Sequence, residues 1–542
     1  MLVLDSADYD AWAMNIARGD WIGTGVFYAM PLYPYFLGVV YFLFGHFLSA
    51  ARFIQILIGA TNCILAFRLA QRSFGRRAAV ITFVICAFSN LLILYDSMII
   101  SSSLIVFSYL LVLNVLVSFE IKPTAPRALI AGLLTGIACL VSANTLMFIP
   151  LLCMWLFVWV FRANKKKALG YSGAFLIAAA AAIAPVTLRN YVVSKDLVLV
   201  TAHGGLNFYL GNNSSADGAN AKVPFLSSGS RDMIEDSVVY AEKTLQKKLT
   251  ASEVSKFWFS EGVDFIRKRP DRFLALTFTK LRLFLMGYEI PDIFLTSFYS
   301  DFVPVLRWLA YTPFTLNVIV PLAILGLPLA MRRIKRKRFF SLLCLFMAGY
   351  ILPATLFLVN TRYKIPMVPV FALLSSVSLE YVYGALKGKK YRVIAIFLVS
   401  FCAAYLIINN KPLYREYRPN LGASYVFIGD HLLEKGQTAD AIAQFKRAVE
   451  SEPKRAEAHN MLGLGYFRGN DYENAQREFT KAIQLKPNLI GAYNNLGQLE
   501  LKKGHRQAAL GYFEKSMQLN PGQEAVRAII DELKTGDHGL EK

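Results

Sequence analysis

A series of long apolar runs between residues 31 and 408 constrains the fold of this chain more than any other feature. A helix needs roughly 20 apolar residues to cross a bilayer, and helices satisfy their own backbone hydrogen bonds there. The runs predict an all-α, polytopic helical bundle of about ten spans. We place the spans near residues 51–71, 78–95, 98–119, 128–142, 145–162, 168–187, 314–331, 338–359, 365–386 and 391–408. The proline-led run at 33–47 predicts a juxtamembrane helix instead.

Basic residues are concentrated in every second loop between these spans. They follow the first, third, fifth, seventh and ninth spans: Arg68, Arg72, Arg76, Arg77, Lys122, Arg127, Arg162, Lys165, Lys166, Lys167, Arg332, Arg333, Lys335, Arg336, Lys337, Arg338, Lys387, Lys389, Lys390 and Arg392. Cytoplasmic loops carry such an excess, so the other loops are predicted to face outward. The net charge of +21 is therefore an orientation signal and does not indicate a nucleic-acid partner. We expect a bacterial inner-membrane protein whose outer loops are periplasmic.

Cysteine and histidine usage gives no sign of a metal or redox site. The six cysteines all lie within apolar segments without C-x-x-C spacing, and the six histidines are scattered. Such thiols are typical of small buried hydrophobic residues. We predict no metal site built by the protein alone.

The last part of the chain repeats with a period of 34 residues. Four positions recur in three repeats: Gly429, Gly463 and Gly497; Ala441, Ala475 and Ala509; Phe445, Phe479 and Phe513; Pro453, Pro487 and Pro521. Small residues at a helix crossing, an aromatic residue beneath them and a closing proline are typical of tetratricopeptide repeats. A capping helix is predicted at 522–535. Such a solenoid binds a protein segment on its concave side, or it stabilises or oligomerises the chain; both readings stay open.

These patterns predict seven regions along the chain. They are an outer first loop with juxtamembrane helices (1–50), membrane helices (51–187), a long outer loop (188–313), membrane helices (314–408), a linker (409–421), three repeats with their cap (422–535) and a tail (536–542). Within the long outer loop, the Gly- and Asn-rich stretch 204–218 predicts tight turns. A charged helical stretch is expected near 231–270, and an amphipathic helix at 272–288 is expected to lie along the membrane interface.

The first outer loop is acidic and aromatic. It carries Asp5, Asp8, Asp10 and Asp20 together with Tyr9, Trp12, Trp21 and Tyr28. Carboxylates beside aromatic faces suit a hydroxylated ring such as a sugar. A solvated loop with aromatic residues at the lipid interface has the same composition, and composition alone does not separate the two readings.

Read together, the outer-loop motifs resemble glycosyltransferases of the C superfamily. The nearest likeness is to family 39, the protein-mannosyltransferase-like and aminoarabinose-transferase-like enzymes, especially bacterial members with tetratricopeptide tails. The likeness covers about residues 1–408 and depends on the order of several short motifs. They are DSADY (5–9), PLYPYFLG (31–38), LILYDSMII around Asp96, PVTLRNY (185–191), GGLNFYLGNN (204–213), GYEIPD (287–292) and NTRYKIPMVP (360–369).

The resemblance implies transfer of a sugar, with inversion, from a polyprenyl-phosphate carrier to a protein hydroxyl, lipid or glycan on the outer face. By its place in the family motif, Asp5 is expected to be the catalytic base. Asp96 is expected to orient Asp5 or the acceptor, and Asp8 is the fallback base. Helix capping is the competing reading for these carboxylates. No cofactor is implied with certainty, and a divalent metal ion is left open.

A leaving phosphate needs positive charge, and a guanidinium suits it in bidentate fashion. The predicted phosphate ligands are Arg362, then Arg189, then Lys364; anchoring of phospholipid headgroups is the alternative. The predicted sugar or acceptor contacts are Tyr9, Tyr363, Glu289 and Asn207. Asn207 also suits a turn.

Two departures from the family pattern stand out. The first span of the family is missing, which leads us to expect a misassigned start or a truncation, and Ser142-Ala143-Asn144 replaces a basic turn. Two other functions compete with sugar transfer. One is a non-catalytic scaffold that recruits envelope proteins through the repeats. The other is a transporter of lipid-linked sugars, which would have internal repeats and ionisable residues within its spans.

Overall fold

The computed structural model describes residues 5–219, 223, 226, 230–290, 299, 303–333, 337–409, 421–520 and 522–535. The side chains of residues 5, 230–232 and 535 are not described. Several predictions fall outside the described residues: the stretch 1–4, Asp292 of the GYEIPD motif, the basic residues Lys335 and Arg336, the linker at 410–420 and the tail at 536–542. The chain divides into two compact units, with the boundary between residues 418 and 419.

The first unit is helical throughout its described part. Its helices are α1 Asp5–Ala17, α2 Leu32–Phe44, α3 Leu48–Phe74, α4 Arg76–Ala87, α5 Asn90–Asp96, α6 Ser102–Ile121, α7 Ala125–Val141, α8 Phe148–Phe161, α9 Lys165–Ser194, α10 Gly204–Gly211, α11 Ser230–Leu245, α12 Ala251–Lys268, α13 Pro270–Leu285, α14 Pro304–Ala310, α15 Leu316–Arg333, α16 Lys337–Leu356, α17 Val368–Lys387 and α18 Tyr391–Ile408. Short 3₁₀ helices at Ala143–Met147 and Thr361–Met367 precede α8 and α17.

Eight helices of the described chain are long and apolar enough to cross a membrane, or nine if α4 and α5 form one bent span. The bend of 56° falls at Phe88, whose ring stacks on Phe314 at 5.6 Å and meets Trp308 edge-on at 6.5 Å. Helix α7 has only 17 residues and is too short for this class. The predicted all-α polytopic bundle is confirmed, with a span number of eight or nine instead of about ten.

Close contacts between small residues hold α7 against α9. A Cβ atom added at Gly132 would lie 2.1 Å from the carbonyl oxygen of Phe175, and one at Gly136 would lie 2.5 Å from that of Ala179. The two glycines form a G-x-x-x-G pair, a spacing that lets membrane helices approach closely. This contact brings α7 and the middle of α9 side by side.

Helix α17 lies at the centre of the bundle. The apolar stretch of the segment Thr361–Lys387 is 83% buried inside the structure. Its Ser375 and Ser378 donate hydrogen bonds of 2.8 Å to the carbonyl oxygens of Ile319 and Leu322 on α15. Hydroxyl groups commonly link helices in membranes in this way. The 3₁₀ helix 361–367 is thereby held at a fixed place in the bundle.

The long outer loop differs from the prediction at one point. Most of the glycine-rich stretch expected to form turns is the helix α10, and turns follow only at 212–218. A Cβ atom at Gly205 would lie 1.7 Å from the carbonyl oxygen of Ser255 on α12. The glycine therefore serves close helix packing and not a turn. The predicted helical stretch 231–270 is present as α11 and α12.

The second unit is the predicted repeat solenoid. Its helices are α19 Leu421–Glu434, α20 Thr438–Ser451, α21 Ala456–Arg468, α22 Tyr472–Leu485, α23 Ile490–Lys502, α24 Arg506–Leu519 and the capping helix α25 Glu524–Thr535. The register glycines Gly429, Gly463 and Gly497 lie directly over Phe445, Phe479 and Phe513, where an added Cβ atom would be 2.4 to 2.7 Å from the rings.

Candidate functional site

Several of the loops predicted to face outward meet at one end of the bundle. One apolar cluster contains Tyr9 of α1, Tyr33 of α2, Ile99, Leu104 of α6 and Val141 of α7. A neighbouring cluster joins the ends of α7 and α9 to Val200, with Met30 and Leu146 packed against it. Residues far apart in the sequence thus surround a single region, which we call the loop end.

Helix α1 is fastened to α2 by one of its carboxylates. The Tyr41 hydroxyl donates a 2.6 Å hydrogen bond to Asp10 Oδ1, and His46 Nε2 lies 2.9 Å from the same oxygen. The rings of Tyr9 and Tyr33 pack edge to face at 5.1 Å. Asp10 and Tyr9 therefore have structural partners. Asp8, on the same helix, is half-buried.

A hydrogen-bonded chain links α2 to the segment after Asp96. The Tyr33 hydroxyl donates to Gln55 Oε1 at 2.9 Å, and the Gln55 amide donates to the carbonyl oxygen of Met98 at 2.7 Å. Asp96 ends α5 and accepts a 2.6 Å hydrogen bond from Ser103. A Cβ atom at position 59 would lie 2.0 Å from Asp96 Oδ2, so a glycine is required there. Sequence reasoning missed Gln55, whose only signal is a polar residue within an apolar span.

Arg189 holds the first loop. Its Nε donates a 2.7 Å hydrogen bond to the carbonyl oxygen of Ile22, its two terminal nitrogens contact the carbonyl oxygens of Ile22 and Gly25, and its Cζ lies 3.8 Å from the centre of the Phe27 ring. A guanidinium both stacks and donates several hydrogen bonds. The predicted phosphate ligand is thus engaged with the protein's own backbone in this structure.

Asn190 continues the same attachment. Its side chain is fully buried, accepts a hydrogen bond from the Phe27 amide at 3.3 Å and donates to the carbonyl oxygens of Val198 and Val200 at 3.0 and 3.1 Å. We call Arg189 and Asn190 the α9 clamp. Sequence reasoning missed Asn190, although an amide at the end of an apolar span next to an arginine could have indicated it.

Lys364, the third of the predicted phosphate ligands, is fully buried. Its Nζ donates hydrogen bonds of 2.7 and 3.0 Å to the carbonyl oxygens of Met286 and Tyr288. Buried charges are commonly satisfied in this way. Lys364 therefore fastens the segment after α13 to the 3₁₀ helix 361–367, and it places Glu289 in its electrostatic neighbourhood.

Arg362 and Tyr363 occupy the same 3₁₀ helix and are both partly exposed. The Arg362 Cζ lies 5.8 Å from the centre of the Tyr363 ring, within range of a cation–π contact. Tyr109 connects the loop at 142–147 to this neighbourhood, because its hydroxyl lies 2.9 Å from that of Thr145 and its ring is 5.7 Å from that of Tyr350. Arg362, the first of the predicted phosphate ligands, thus lies on this 3₁₀ helix with part of its side chain exposed.

Asn207 is exposed on α10 and is not in a turn. The neighbouring Asn212 is buried and donates hydrogen bonds to the carbonyl oxygens of Phe208 and Leu356 at 2.8 and 2.6 Å. The two asparagines therefore differ. Asn212 joins α10 to α16, while the side chain of Asn207 is exposed at the surface of the structure.

Lys280 of α13 is a buried cation outside the predicted spans. Its Nζ donates a 2.7 Å hydrogen bond to the carbonyl oxygen of Gly211 and lies 3.3 Å from Asn212 Oδ1. Burial lowers the pKa of Lys280 from 10.5 to about 7. This lysine faces the interior of the unit, on the helix that was predicted to lie along the membrane interface.

The pH dependence of stability is expected to report this burial. Between pH 7 and 10.5 the unfolded chain binds the Lys280 proton more strongly than the folded one. The free energy of unfolding therefore rises with pH, by up to about 1.4 kcal/mol per pH unit from this group. Unfolding transitions of the wild type and of Lys280→Met across this range provide the measurement. We expect a smaller slope in the variant, and equal slopes would contradict the assignment.

An open apolar groove of about 750 Å³ runs along α9 toward the loop end. It is lined by Leu146, Ile149, Leu176, Ala179, Ala180, Ile183, Ala184, Thr187, Leu188, Tyr191, Leu197 and Leu199. Most of these side chains belong to helices that qualify as membrane spans. The groove therefore suits a lipid chain. The sequence showed the apolar helix but not the concave surface.

Among the described residues, no group of three or more His, Cys, Asp and Glu side chains is placed to hold a metal ion. The cysteines in this part of the chain are all free thiols.

Comparison with known families gave matches to both units. Residues 29–188 match the family described as dolichyl-phosphate-mannose-protein mannosyltransferase. Residues 428–490 and 490–523 match tetratricopeptide repeat families. The predicted resemblance to mannosyltransferase-like membrane proteins with C-terminal tetratricopeptide repeats is confirmed at this level. No curated protein matched the chain.

Solved structures also resemble parts of the chain. The oligosaccharyltransferase AglB from Archaeoglobus fulgidus, solved with an inhibitory peptide and a dolichol-phosphate, has a TM-score of 0.40 and 13% identity, covering 80% of this chain and 54% of its own. The present chain thus matches about half the length of that protein. The second tetratricopeptide domain of human RPAP3, bound to an HSP70 peptide, has a TM-score of 0.20 and 22% identity, covering 21% of this chain and 94% of its own.

Proposed function

We propose that this multi-pass membrane protein, similar to mannosyltransferases over residues 29–188 and ending in tetratricopeptide repeats, transfers a sugar from a polyprenyl-phosphate donor to an acceptor hydroxyl. The acceptor belongs to a protein, lipid or glycan. Transfer inverts the anomeric carbon because the acceptor displaces the lipid phosphate directly. A carboxylate removes the acceptor proton as the new bond forms, which contributes roughly 10²–10⁴-fold.

The apolar groove on α9 is the observation that carries this proposal. It is open along a membrane-spanning helix, and its end at Thr187 and Leu188 lies next to Arg189, which holds the first loop through Ile22. A polyprenyl chain lying in the groove would bring its phosphate and sugar toward the loop end. A soluble nucleotide-sugar donor would have no use for an apolar groove of this size.

Asp5 is the proposed base, and Asp96 and Asp8 support it. Asp5 is the first residue of α1, where a carboxylate is favoured by the helix dipole. Gln55 links Tyr33 of α2 to the carbonyl oxygen of Met98, two residues after Asp96, and Tyr9 of α1 packs on the Tyr33 ring. The proposed sugar or acceptor contacts are Tyr9, Tyr363, Glu289 and Asn207.

Arg362 is the proposed principal phosphate ligand. Arg189 and Lys364 donate their hydrogen bonds to backbone carbonyl oxygens. Arg362 is partly exposed on the 3₁₀ helix 361–367, and its guanidinium suits a phosphate in bidentate fashion. Charge placed where the phosphate leaves stabilises the transition state without reorganisation. Lys364 then acts on the site by holding the segment that carries Glu289.

The loop end is proposed to face the periplasm of a bacterial inner membrane, with the repeats on the same side. The alternation of basic loops supports this orientation. A reporter enzyme fused after Asn460 is expected to be active only outside the cytoplasm. Activity in the cytoplasm would overturn the orientation.

Donor use can be tested with the purified protein and a panel of polyprenyl-phosphate sugars, following release of the lipid phosphate. Ala184→Trp places an indole in the groove, and we expect it to raise the KM for the lipid donor about tenfold or more, since each 1.4 kcal/mol of lost binding is a factor of ten. The matched control is Ala181→Trp, because Ala181 is exposed on the same helix but does not line the groove. Equal KM values in the two variants would contradict the groove assignment.

The tetratricopeptide unit is proposed to recruit a protein partner to this site. Successive repeats form an extended concave surface in solenoids of this kind. A scaffold without catalysis is the competing function, and release of lipid phosphate by the purified wild type decides between them.

A further inference from the structure

The segment 197–200 has two faces of different character. Leu197 and Leu199 are 69% and 57% exposed and line the groove, whereas Val198 and Val200 are 5% and 1% exposed and point to the opposite side. Alternation of this kind is what an extended backbone produces. We call residues 197–200 the two-faced strip.

The inner face of the strip contacts the first loop. Val198 packs in one cluster with Val26 and Ala202. The amide of Ala202 donates a 3.0 Å hydrogen bond to the carbonyl oxygen of Phe27. The strip therefore touches the groove with one face and the acidic loop with the other.

The α9 clamp contacts both the strip and the first loop from α9. Asn190 binds the strip and the Phe27 amide at once, and Thr187, which lines the groove, donates a 2.7 Å hydrogen bond to the carbonyl oxygen of Leu199. Arg189 grips the loop through Ile22, Gly25 and the Phe27 ring. Groove, strip and loop thus share one continuous set of contacts.

We propose that the two-faced strip and the α9 clamp couple filling of the groove by a polyprenyl chain to the position of the acidic first loop. This inference depends on the proposed function, because it assigns the groove to the donor lipid. A chain in the groove packs against Leu197 and Leu199, which fixes the strip and, through Asn190 and Val198, the loop. Arg189 is a positioning residue for Asp5 and Asp8, and does not bind the donor phosphate.

The occupant is a polyprenyl chain and not a bulk phospholipid. The groove extends along several turns of α9, from Leu176 to Tyr191, and this length suits a single long chain. Its polar end at Thr187 lies next to the loop that carries the acidic residues. A phospholipid would fill the groove without delivering a sugar there.

The first test measures the loop directly. Wild-type protein in phosphatidylcholine nanodiscs is given polyprenyl phosphate without a sugar, and amide hydrogen exchange of residues 20–28 is followed by mass spectrometry. We expect exchange to slow by about tenfold, reflecting loss of local opening. Phosphatidylglycerol at the same concentration is expected to have no such effect.

The variant Asn190→Ala distinguishes coupling from binding. It removes the link between strip and loop without replacing a side chain that lines the groove, so lipid binding is expected within about twofold of wild type while the slowed exchange disappears. Lipid binding without slowed exchange in the wild type would overturn the coupling alone. Absence of any polyprenyl phosphate binding would overturn both the donor assignment and the coupling. Equal slowing by phosphatidylglycerol would overturn the choice of occupant.

Kinetics of Arg189 variants separate positioning from phosphate binding. Arg189→Gln and Arg189→Lys are both expected to lower kcat by up to about 10²-fold through a displaced loop, with the donor KM within about twofold. A phosphate ligand would instead raise KM, and lysine would preserve much of its function. Arg18→Gln, an exposed arginine at the end of α1, is the matched control.

Gly23→Ala tests the same contact from the loop side, without altering α9. Gly23 has a φ of +65°, and an added Cβ atom would lie 3.0 Å from the Arg189 guanidinium. We expect this variant to lower kcat as Arg189→Lys does, with a folded protein as judged by its thermal transition. Wild-type kcat in Gly23→Ala and in Arg189→Lys would overturn the positioning role.

Discussion

The Asp5→Asn variant is expected to lose sugar transfer by roughly 10²–10⁴-fold while the protein stays folded, because the amide cannot accept the proton of the acceptor hydroxyl. Asparagine is as acceptable as aspartate at a helix start, and Asp5 is the first residue of α1, so the helix should persist. The measurement is release of lipid phosphate and formation of product with the preferred donor. Near wild-type turnover in this variant would remove the catalytic assignment from the first loop.

Other carboxylates on the same loop provide the controls. Asp10→Asn keeps an oxygen for the Tyr41 hydroxyl but loses the attraction to His46, so we expect a small loss of stability and little loss of kcat. Asp20 accepts a 2.7 Å hydrogen bond from the Gly23 amide, and Asp20→Asn retains that oxygen. A loss confined to Asp8→Asn would transfer the role of base to Asp8. Equal losses in all four variants would point to a general effect of loop charge.

The Phe479→Ala variant is expected to destabilise the tetratricopeptide unit by about 3–5 kcal/mol. Phe479 is fully buried, and its ring fills the space directly beneath Gly463. A unit of this size has about 5–15 kcal/mol of stability in total, so one such cavity removes a large part of it. Thermal or denaturant unfolding followed by the helical signal of the purified full chain gives the measurement.

The adjacent Thr480→Ala change is the matched control, since Thr480 is exposed on the same helix and should change stability by less than about 0.5 kcal/mol. Donor-dependent release of lipid phosphate is expected to survive Phe479→Ala, because the two units are separately compact. Loss of that release would show that catalysis requires the repeats. An unchanged unfolding transition would contradict the packing described for the repeats.

The repeats illustrate what a sequence pattern determines without tertiary information. Gly463 and Phe479 recur at the same positions in every repeat because each repeat packs its two helices in the same way. The 34-residue spacing therefore predicts the contact between them. The membrane helices follow from a similarly local rule, since apolar length alone decides whether a helix can cross a bilayer.

The candidate site was predictable only in part. The first loop, Asp96 and the segment 361–367 were singled out from their motifs, and the structure places them in the same unit. The charges of Arg189 and Lys364 were also evident, but their partners are the backbone carbonyl oxygens of Ile22 and Met286. A sequence shows that a cation is present and does not show which oxygen it reaches.

The sequence by itself therefore determined the helical class, the division into membrane and repeat units, and the approximate place of the polar loops, because these depend on local periodicity and length. Only the tertiary structure decided that α9 bears a groove, that residues 197–200 present two faces, and that Gly205 packs between helices. Each of these features depends on contacts between residues that are far apart in the sequence. Close packing of side chains decides which of these contacts form, and a local sequence pattern does not contain that information.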